Sequence, residues 1–218
     1  MIKSNYLIHD CETGGLDPDK NPITQYACVI LDYHTLKEVD RWETYIKPYK
    51  DLSIEKEALQ HTMVNMSDIN HGINLNEFVH TASDFWNSHM ANAKTREKGR
   101  LVIVGHNVIF DDNFLEKAFN FEEKTIRDFL QPNLIDTMLL AKMEWGLTGE
   151  EKINLGECCK KANIRITDAH GAMNDVEATA ELFKYFVRKL RSKKNEKQSS
   201  ENVKRAIGSK FFEFKCKD

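Results

Sequence analysis

Five apolar segments of the chain have the composition and length of β-strands. Each is rich in aliphatic, β-branched or aromatic residues and is bounded by polar, glycine or proline residues, which is typical of strands. The segments are Asn5–Glu12, Pro22–Asp32, Arg41–Lys47, the strongly apolar LVIVG of Leu101–Gly105, and Leu134–Asp136. The stretch Gly14–Pro22 separates the first two, and its glycines and prolines predict a tight connection.

Between and after these strands, apolar residues recur at helical spacing. The longest stripes are Leu75–Met90 and Asp175–Leu190, the second with Asn174 as predicted N-cap and Glu177 completing a capping box. Further helices are predicted at Ser53–Leu59 with Ser53 as N-cap, at Asp112–Phe119, and two or three times between Thr137 and Ala162. Strands first, then strands and helices in alternation, predict an α/β fold with a mixed sheet.

The distribution of charge separates a body from a tail. The 218 residues carry a net charge of -3, yet residues 191–218 contain nine Lys/Arg and only four Asp/Glu. The segment SKKNEKQSS near the start of this stretch has the composition of a linker. We therefore predict one domain over residues 1–190 and a basic C-terminal tail over 191–218.

Composition limits the class of protein. The hydrophobic fraction is 41%, the mean hydropathy is -0.55, and no apolar run is as long as a membrane span. The first residues lack the apolar segment of a signal peptide, so a cytoplasmic location is predicted. The five cysteines form no CxxC pair, and their odd number argues against a disulfide framework. We expect reduced thiols that serve mostly as small packing residues.

Carboxylates stand where predicted strands end or helices begin. Asp10 and Glu12 are two residues apart at the end of the first strand, so their side chains point to the same face. Asp111 follows the LVIVG strand at the edge of the sheet where ligands bind in α/β folds. His170 precedes Asp175 by five residues, and Asp175 lies in the first turn of the last long helix. Because converging carboxylates repel one another unless a cation lies between them, the pattern favours a divalent-metal site.

Three motifs around these residues resemble the DnaQ-like superfamily of 3′→5′ exonucleases, in the subgroup whose fifth residue is histidine (DEDDh). They are HDCETGGLD around Asp10 and Glu12, GHNVIFDDNFL around Asp111, and HGAMNDVEATAELF around His170 and Asp175. The similarity runs from about Tyr6 to Leu190. Within the superfamily, the chain resembles the proofreading (epsilon-type) exonuclease subunit of DNA polymerase III. It implies a ribonuclease H-like fold, with a central mixed five-stranded sheet flanked by helices.

The resemblance also implies how the reaction is catalysed. Asp10, Glu12, Asp111 and Asp175 would be catalytic as ligands of two Mg²⁺ or Mn²⁺ ions, with His170 as the general base. Two ions about 3.5–4 Å apart serve both ends of an in-line phosphodiester hydrolysis. Carboxylate oxygens suit these hard cations, whereas zinc prefers His or Cys. The ordinary pKa of histidine, about 6.5, suits proton abstraction near neutral pH.

Substrate-binding residues are implied by resemblance alone. Seven are expected to line or border the site of the terminal nucleotide: Thr13, Gly14, Gly15, Leu16, His61, Asn107 and Phe110. For Leu16 and Phe110, plain core packing is an equally good interpretation. His106, beside Asn107, would either hold its loop or touch substrate. Binding of a single strand through base stacking and backbone contacts depends little on the nucleotide sequence, so we expect little base preference.

The predicted activity is a metal-dependent 3′→5′ exonuclease that releases nucleoside monophosphates from the 3′ end of DNA in proofreading or repair. The expected partners are single-stranded DNA or RNA 3′ ends, and a DNA polymerase is a further candidate. No association with a membrane is expected. One alternative is an RNA 3′-end-trimming enzyme of the same superfamily. Another is a non-catalytic scaffold for nucleic-acid ends or a polymerase, which the five intact chemical positions disfavour. A structural calcium site is disfavoured because no contiguous loop of alternating ligands exists.

Overall fold

Five strands form a single mixed sheet in the computed structural model, which describes residues 4–62, 64–91, 99–147, 153–166 and 171–192. The strands are β1 (Tyr6–Thr13), β2 (Ile23–Leu31), β3 (Glu38–Tyr45), β4 (Val102–Gly105) and β5 (Ile135–Asp136), in the order β3-β2-β1-β4-β5. β1 pairs antiparallel with β2 and parallel with β4. The predicted α/β fold with a mixed five-stranded sheet is confirmed.

Seven α-helices occur in the described part of the chain. They are α1 (Lys56–His61), α2 (Met66–His71), α3 (Leu75–His89), α4 (Ile109–Asn120), α5 (Thr137–Trp145), α6 (Leu155–Lys161) and α7 (residues 172–192), and a 3₁₀ turn covers Ile126–Asp128. The sequence prediction included every α-helix of this set except α2, whose six residues are too few for a clear apolar period. α4 begins three residues before the predicted start.

Both predicted N-caps are wrong. α1 is preceded by Glu55 at the N-cap position, not Ser53. The backbone of Ser53 is engaged elsewhere, because its N–H donates to the Lys20 carbonyl and its own carbonyl accepts from the Asn21 side chain. α7 begins at residue 172, so Asn174 lies inside its first turn and the predicted capping box with Glu177 does not form.

The core fills the space between the sheet and helices α3 and α4. Leu7 and Cys11 of β1 point into it, since they alternate with residues on the opposite face. Trp86 of α3 stacks on Phe119 of α4, with ring centroids 5.2 Å apart and an interplanar angle of 15°. Fully burying an aromatic side chain contributes about 2–3 kcal/mol. This packing fixes β1 and α4, the two elements on which three of the predicted site acids lie.

Contacts divide the chain into two units, Met1–Leu182 and Phe183–Asp218. The described residues of the second unit, 183–192, are helical, and Lys189 Nζ there lies 5.6 Å from the centroid of the Tyr185 ring. The predicted tail lies outside the described residues beyond position 192, so its boundary stays a prediction. No helix in the described ranges is both long and apolar enough to cross a membrane.

The cysteines of the described residues are free thiols. Cys11, Cys28, Cys158 and Cys159 are all buried and unpaired with one another, which confirms their predicted role as packing residues. Cys216 lies outside the described residues.

Candidate active site

Three carboxylates converge on one face at the end of β1. Asp10, Glu12 and Asp175 each offer an oxygen, and these atoms all lie within 4.8 Å of one another. Asp10 and Glu12 share a face because side chains in a strand alternate, and Asp175 lies in the first turn of α7. The structure thus brings together three of the four acids that the sequence analysis assigned to one site.

Asp111 lies beside this cluster but has a partner of its own. The backbone N–H of Cys11, between Asp10 and Glu12, donates to Asp111 Oδ1 at 2.9 Å. Parallel pairing of β1 with β4 brings the first turn of α4, which carries Asp111, to the end of β1. The Asp111 side chain is buried, and it is not part of the group whose oxygens are mutually within 4.8 Å.

The electrostatics of the site are those of crowded negative charge. Burial, then the charges of Asp111, Glu12 and Asp175, raise the pKa of Asp10 well above its ordinary value. Burial and the charge of Asp175 raise the pKa of Glu12 to about 7. Burial raises the pKa of Asp111 to about 8, although the Cys11 N–H opposes this shift. Such groups either bind protons or share a cation, and a divalent ion with oxygen ligands satisfies them.

The predicted general base cannot be located in this geometry, because His170 lies outside the described residues. On the other side of this gap, the Gly171 carbonyl accepts a hydrogen bond from the Asp175 N–H at 3.1 Å.

His106 and Asn107 organise the loop between β4 and α4. His106 Nδ1 lies 3.0 Å from Thr137 Oγ1, and its Nε2 lies 3.4 Å from the Ile153 carbonyl. Asn107 has a left-handed backbone with φ 62°, and its N–H donates to Asp136 Oδ1 at 3.0 Å. These contacts favour the loop-holding interpretation of His106. Asn107 is not among the residues that line the cavity described next.

A cavity of about 370 Å³ opens directly beside Glu12. Its lining includes four of the predicted substrate residues, Thr13, Gly15, Leu16 and Phe110. Leu16 is 84% exposed, which rules out core packing as its role. Phe110 is half-buried and packs on Phe114 with ring centroids 4.9 Å apart, so it belongs both to the core edge and to the cavity. His61 is the last residue of α1 and lies between Ala58 and Thr62, which line the cavity, but its side chain is not among those that the structure describes.

Packing within the protein itself requires glycine at positions 14 and 15. A Cβ on Gly14 would lie 2.8 Å from Pro22 Cδ, and one on Gly15 would lie 2.4 Å from Asn21 Oδ1. Gly14 is buried, is absent from the cavity lining, and binds Pro22 and Glu55 through its backbone. Glycine at both positions therefore lets the connection after β1 close on itself.

Five residues of the cavity wall were not predicted from the sequence. One is Cys11 of β1, and the other four come from α1 and its flanks: Glu55, Glu57, Ala58 and Thr62. The acidic segment SIEKEAL was interpreted only as a helix start, and nothing in its local pattern indicates that it faces β1. Gln25 of β2 was missed as well, although a polar residue in an otherwise apolar strand was the available indication.

The amino-acid sequence matches the RNase T family, described as exonuclease, over residues 7–183. The chain belongs to this exonuclease family. The matched span holds the converging carboxylates of β1 and α7 and the cavity beside them. This exonuclease is a 3′→5′ phosphodiester hydrolase, as predicted from the sequence, and its family depends on divalent metal ions.

Individual relatives agree with that assignment. The exonuclease is 28% identical over 183 residues to a ribonuclease T of Marinobacter nauticus, covering 81% of this chain and 79% of the relative. It is 25% identical over 186 residues to a PolC-type DNA polymerase III of Clostridium perfringens, covering 85% of this chain but only 11% of the polymerase. The first match is between chains of similar extent, whereas the second concerns one small part of a polymerase.

Among solved structures, the exonuclease resembles E. coli exonuclease I in complex with a dT13 oligonucleotide. The TM-score is 0.64 at 24% identity, and the match covers 84% of this chain. This chain spans only 40% of the length of that protein. The likeness confirms the ribonuclease H-like fold expected from the sequence.

Proposed function

We propose that this protein is a two-metal 3′→5′ exonuclease acting on single-stranded 3′ ends, with Asp10, Glu12, Asp111 and Asp175 as ligands of two Mg²⁺ or Mn²⁺ ions. The observation that carries the proposal is the convergence of three carboxylates within 4.8 Å beside a cavity of nucleoside size. The donor set fits hard cations because it consists of carboxylate oxygens. Burial, and then the neighbouring acids, raise the pKa of Asp10 and of Glu12, as expected for carboxylates crowded together without a cation. When bound, such ions activate a water and stabilise the leaving 3′-oxyanion.

The side chains of the chain itself would then have distinct tasks. Asp10 would be the ligand shared by both ions, because the charges of Asp111, Glu12 and Asp175 all act on it after burial in raising its pKa. Asp111 is oriented by the Cys11 N–H, which donates to its Oδ1, and its carboxylate would contribute to the second ion. His170 would accept the proton of the attacking water, as the family resemblance implies.

The cavity would receive the 3′-terminal nucleoside. Leu16, exposed at its edge, would press against the terminal base, and Phe110 would border the opposite side. We expect Leu16→Ala to raise KM about fivefold with little change in kcat, as for an interaction made equally before and during the reaction. The matched control is Val39→Ala, which shortens an aliphatic side chain that is 53% exposed on β3. An equal change of KM in both variants would contradict this role of Leu16.

RNA is the favoured polymer and DNA the second candidate. The sequence analysis gave DNA as the first candidate substrate. Two relatives that match over most of this chain and most of their own length are named ribonuclease T, and they favour RNA instead. The dT13 bound to exonuclease I keeps DNA as the alternative. A polymerase partner has weaker support, since the match to PolC covers so little of that protein. A cytoplasmic location stays a prediction.

Digestion of 5′-labelled single-stranded RNA and DNA of one sequence tests the proposal. With Mg²⁺ we expect a ladder that shortens from the 3′ end, that disappears with EDTA, and that is strongly reduced in His170→Ala. His80→Ala serves as the control, because His80 is a solvent-exposed histidine on α3 that contacts Asp84 of the same helix. Faster cleavage of DNA would reverse the choice of polymer. A folded protein that cleaves neither polymer with Mg²⁺ or Mn²⁺ would refute the enzyme and favour the scaffold.

A further inference from the structure

Gln25 is a buried polar residue in β2, a strand in which every position is buried. It is 3% exposed, and its side-chain amide contacts two different elements. Its Nε2 donates to Glu43 Oε1 of β3 at 2.6 Å. Its Oε1 accepts from the backbone N–H of Ala172 at 3.4 Å. One side chain thus links two strands to the first residue of α7.

The position of Gln25 in the sheet relates these contacts to the carboxylate cluster. Gln25 is directly opposite Glu12 in the register of β1 and β2, so the two side chains point to the same face. The first N–H groups of a helix have no partner within the helix, and Gln25 provides one for Ala172. Asp175 follows Ala172 by three residues, which places it on the same side of α7 one turn later. What holds residue 172 therefore also holds the Asp175 carboxylate opposite Asp10 and Glu12.

The chemistry of the amide suits both contacts at once. A carboxylate at position 43 only accepts hydrogen bonds when ionised, so it directs the NH₂ group of Gln25 towards itself. The carbonyl oxygen of the same amide is thereby turned towards the Ala172 N–H. A leucine here would leave a helix N–H and the Glu43 carboxylate without this partner. A carboxylate here would face the Glu43 carboxylate directly.

We propose that Gln25, oriented by Glu43, is a positioning residue that sets the distance of Asp175 from Asp10 and Glu12 and so tunes cation affinity. The proposal rests on the proposed function, because it assumes that these carboxylates bind cations.

A second contact between the sheet and α7, an exposed ion pair, can be compared with the buried contact of Gln25. Arg41 of β3 pairs with Glu177 at 2.6 Å, with side chains 45% and 44% exposed, and it also pairs with Glu38. Exposed ion pairs contribute little because water screens them. We therefore expect the buried amide of Gln25, and not this pair, to control the start of α7.

Calorimetric titration of the full chain with Mn²⁺ at pH 8, without nucleic acid, tests the proposal. We expect Gln25→Leu to weaken Mn²⁺ binding about fivefold, as for the loss of one net hydrogen bond, and Gln25→Glu to weaken it at least as much. The double variant Gln25→Glu/Glu43→Gln should return to within about twofold of wild type, because the exchanged pair again offers one donor and two acceptors. Arg41→Gln should bind Mn²⁺ like wild type.

Activity provides the second measurement. In Gln25→Leu and Gln25→Glu the Mn²⁺ concentration for half-maximal cleavage should rise by the same factor, while KM for the oligonucleotide stays unchanged. Wild-type affinity in both single variants would overturn the proposal, as would failure of the double variant to recover or an equal loss in Arg41→Gln. If wild type itself binds no Mn²⁺ and cleaves nothing, the proposed function fails. If wild type does both and the Gln25 variants do not differ from it, only the positioning role fails.

Discussion

Neutralising Asp10 should make the metal-free protein more stable, although it removes a central residue of the site. In Asp10→Asn, an uncharged amide of similar size replaces the carboxylate that is crowded by three others. Ligand oxygens of Asp10, Glu12 and Asp175 lie within 4.8 Å of one another. Two unit charges at that separation repel by about 3.5 kcal/mol at an effective dielectric constant of about 20.

The measurable gain is smaller than this repulsion because the folded protein relieves part of it by binding protons. Burial and the neighbouring acids raise the pKa of Asp10 itself well above its ordinary value, and burial is the main cause that raises the pKa of Glu12 to about 7 and that of Asp111 to about 8. We therefore expect Asp10→Asn to add about 1–2 kcal/mol to the free energy of unfolding at pH 8, or about 2–8 °C in Tm for a chain of this length.

The pH dependence follows from the direction of the shifts. Because these carboxyl groups have a higher pKa when folded, the native state binds more protons than the unfolded state between about pH 4 and pH 8. The metal-free wild type should therefore lose stability as the pH rises through that range. Asp10→Asn should reduce this loss, so its advantage should be larger at pH 8 than at pH 6.

Thermal unfolding in EDTA at pH 6 and pH 8, followed by circular dichroism, measures both effects. Added Mn²⁺ should raise the Tm of wild type by several degrees, as expected for a ligand that binds only the folded state, and that of Asp10→Asn much less. Asp84→Asn, which neutralises a largely exposed acid on α3, should leave Tm unchanged in every condition. A lower Tm for Asp10→Asn in EDTA at pH 8, or an equal gain at both pH values, would refute the electrostatic argument.

Three further substitutions test the structure around the site. Arg127→Met should cost about 2–3 kcal/mol in chemical denaturation, because it leaves the Asp112 carboxylate, whose side chain is 6% exposed, without its ion pair. Gly15→Ala should raise KM roughly fivefold with a smaller change in kcat, since its Cβ would lie 2.4 Å from Asn21 Oδ1 at the cavity wall. Gly146→Ala should cost about 1 kcal/mol of unfolding free energy, because residue 146 ends α5 with φ 63°.

Matched controls separate these effects from general damage. Lys20→Met removes the cation of a surface ion pair whose side chains are 74% and 40% exposed, and it should not change stability measurably. Gly156→Ala places a Cβ in α6 with its nearest neighbour 3.5 Å away, so both stability and KM should stay near wild type. If Gly156→Ala changes stability as much as Gly146→Ala, the backbone argument for residue 146 is wrong. Equal KM changes in Gly156→Ala and Gly15→Ala would contradict the cavity argument.

The strands were predictable from the sequence because their apolar runs are strong and their boundaries are chemically distinct. Alternation along β1 also sufficed to place Asp10 and Glu12 on one face, where the structure has them. The start of α1 was not predictable, since Ser53 is a good local N-cap whose backbone is taken by Lys20 and Asn21 from a separate loop.

Contacts between residues far apart in the sequence could not be predicted from local sequence patterns. Asp111 binds the Cys11 N–H across 100 residues, and Gln25 binds Ala172 across 147. Sequence alone predicted that Asp111 belongs to the site, because of its motif, but not which group orients it. The acidic wall from α1 was missed because nothing in that helix indicates which of its sides meets β1.

The site draws its acids from the beginning, middle and far part of the chain, and this has a consequence for biosynthesis. Asp10 and Glu12 leave the ribosome first, Asp111 follows about 100 residues later, and Asp175 comes after the whole sheet is available. A nascent chain that has formed the five strands still lacks one of the three converging carboxylates. The three-carboxylate cluster can therefore assemble only after Asp175 has been synthesised and α7 has packed against the sheet, so we expect no metal-dependent cleavage by a nascent chain that ends before that residue.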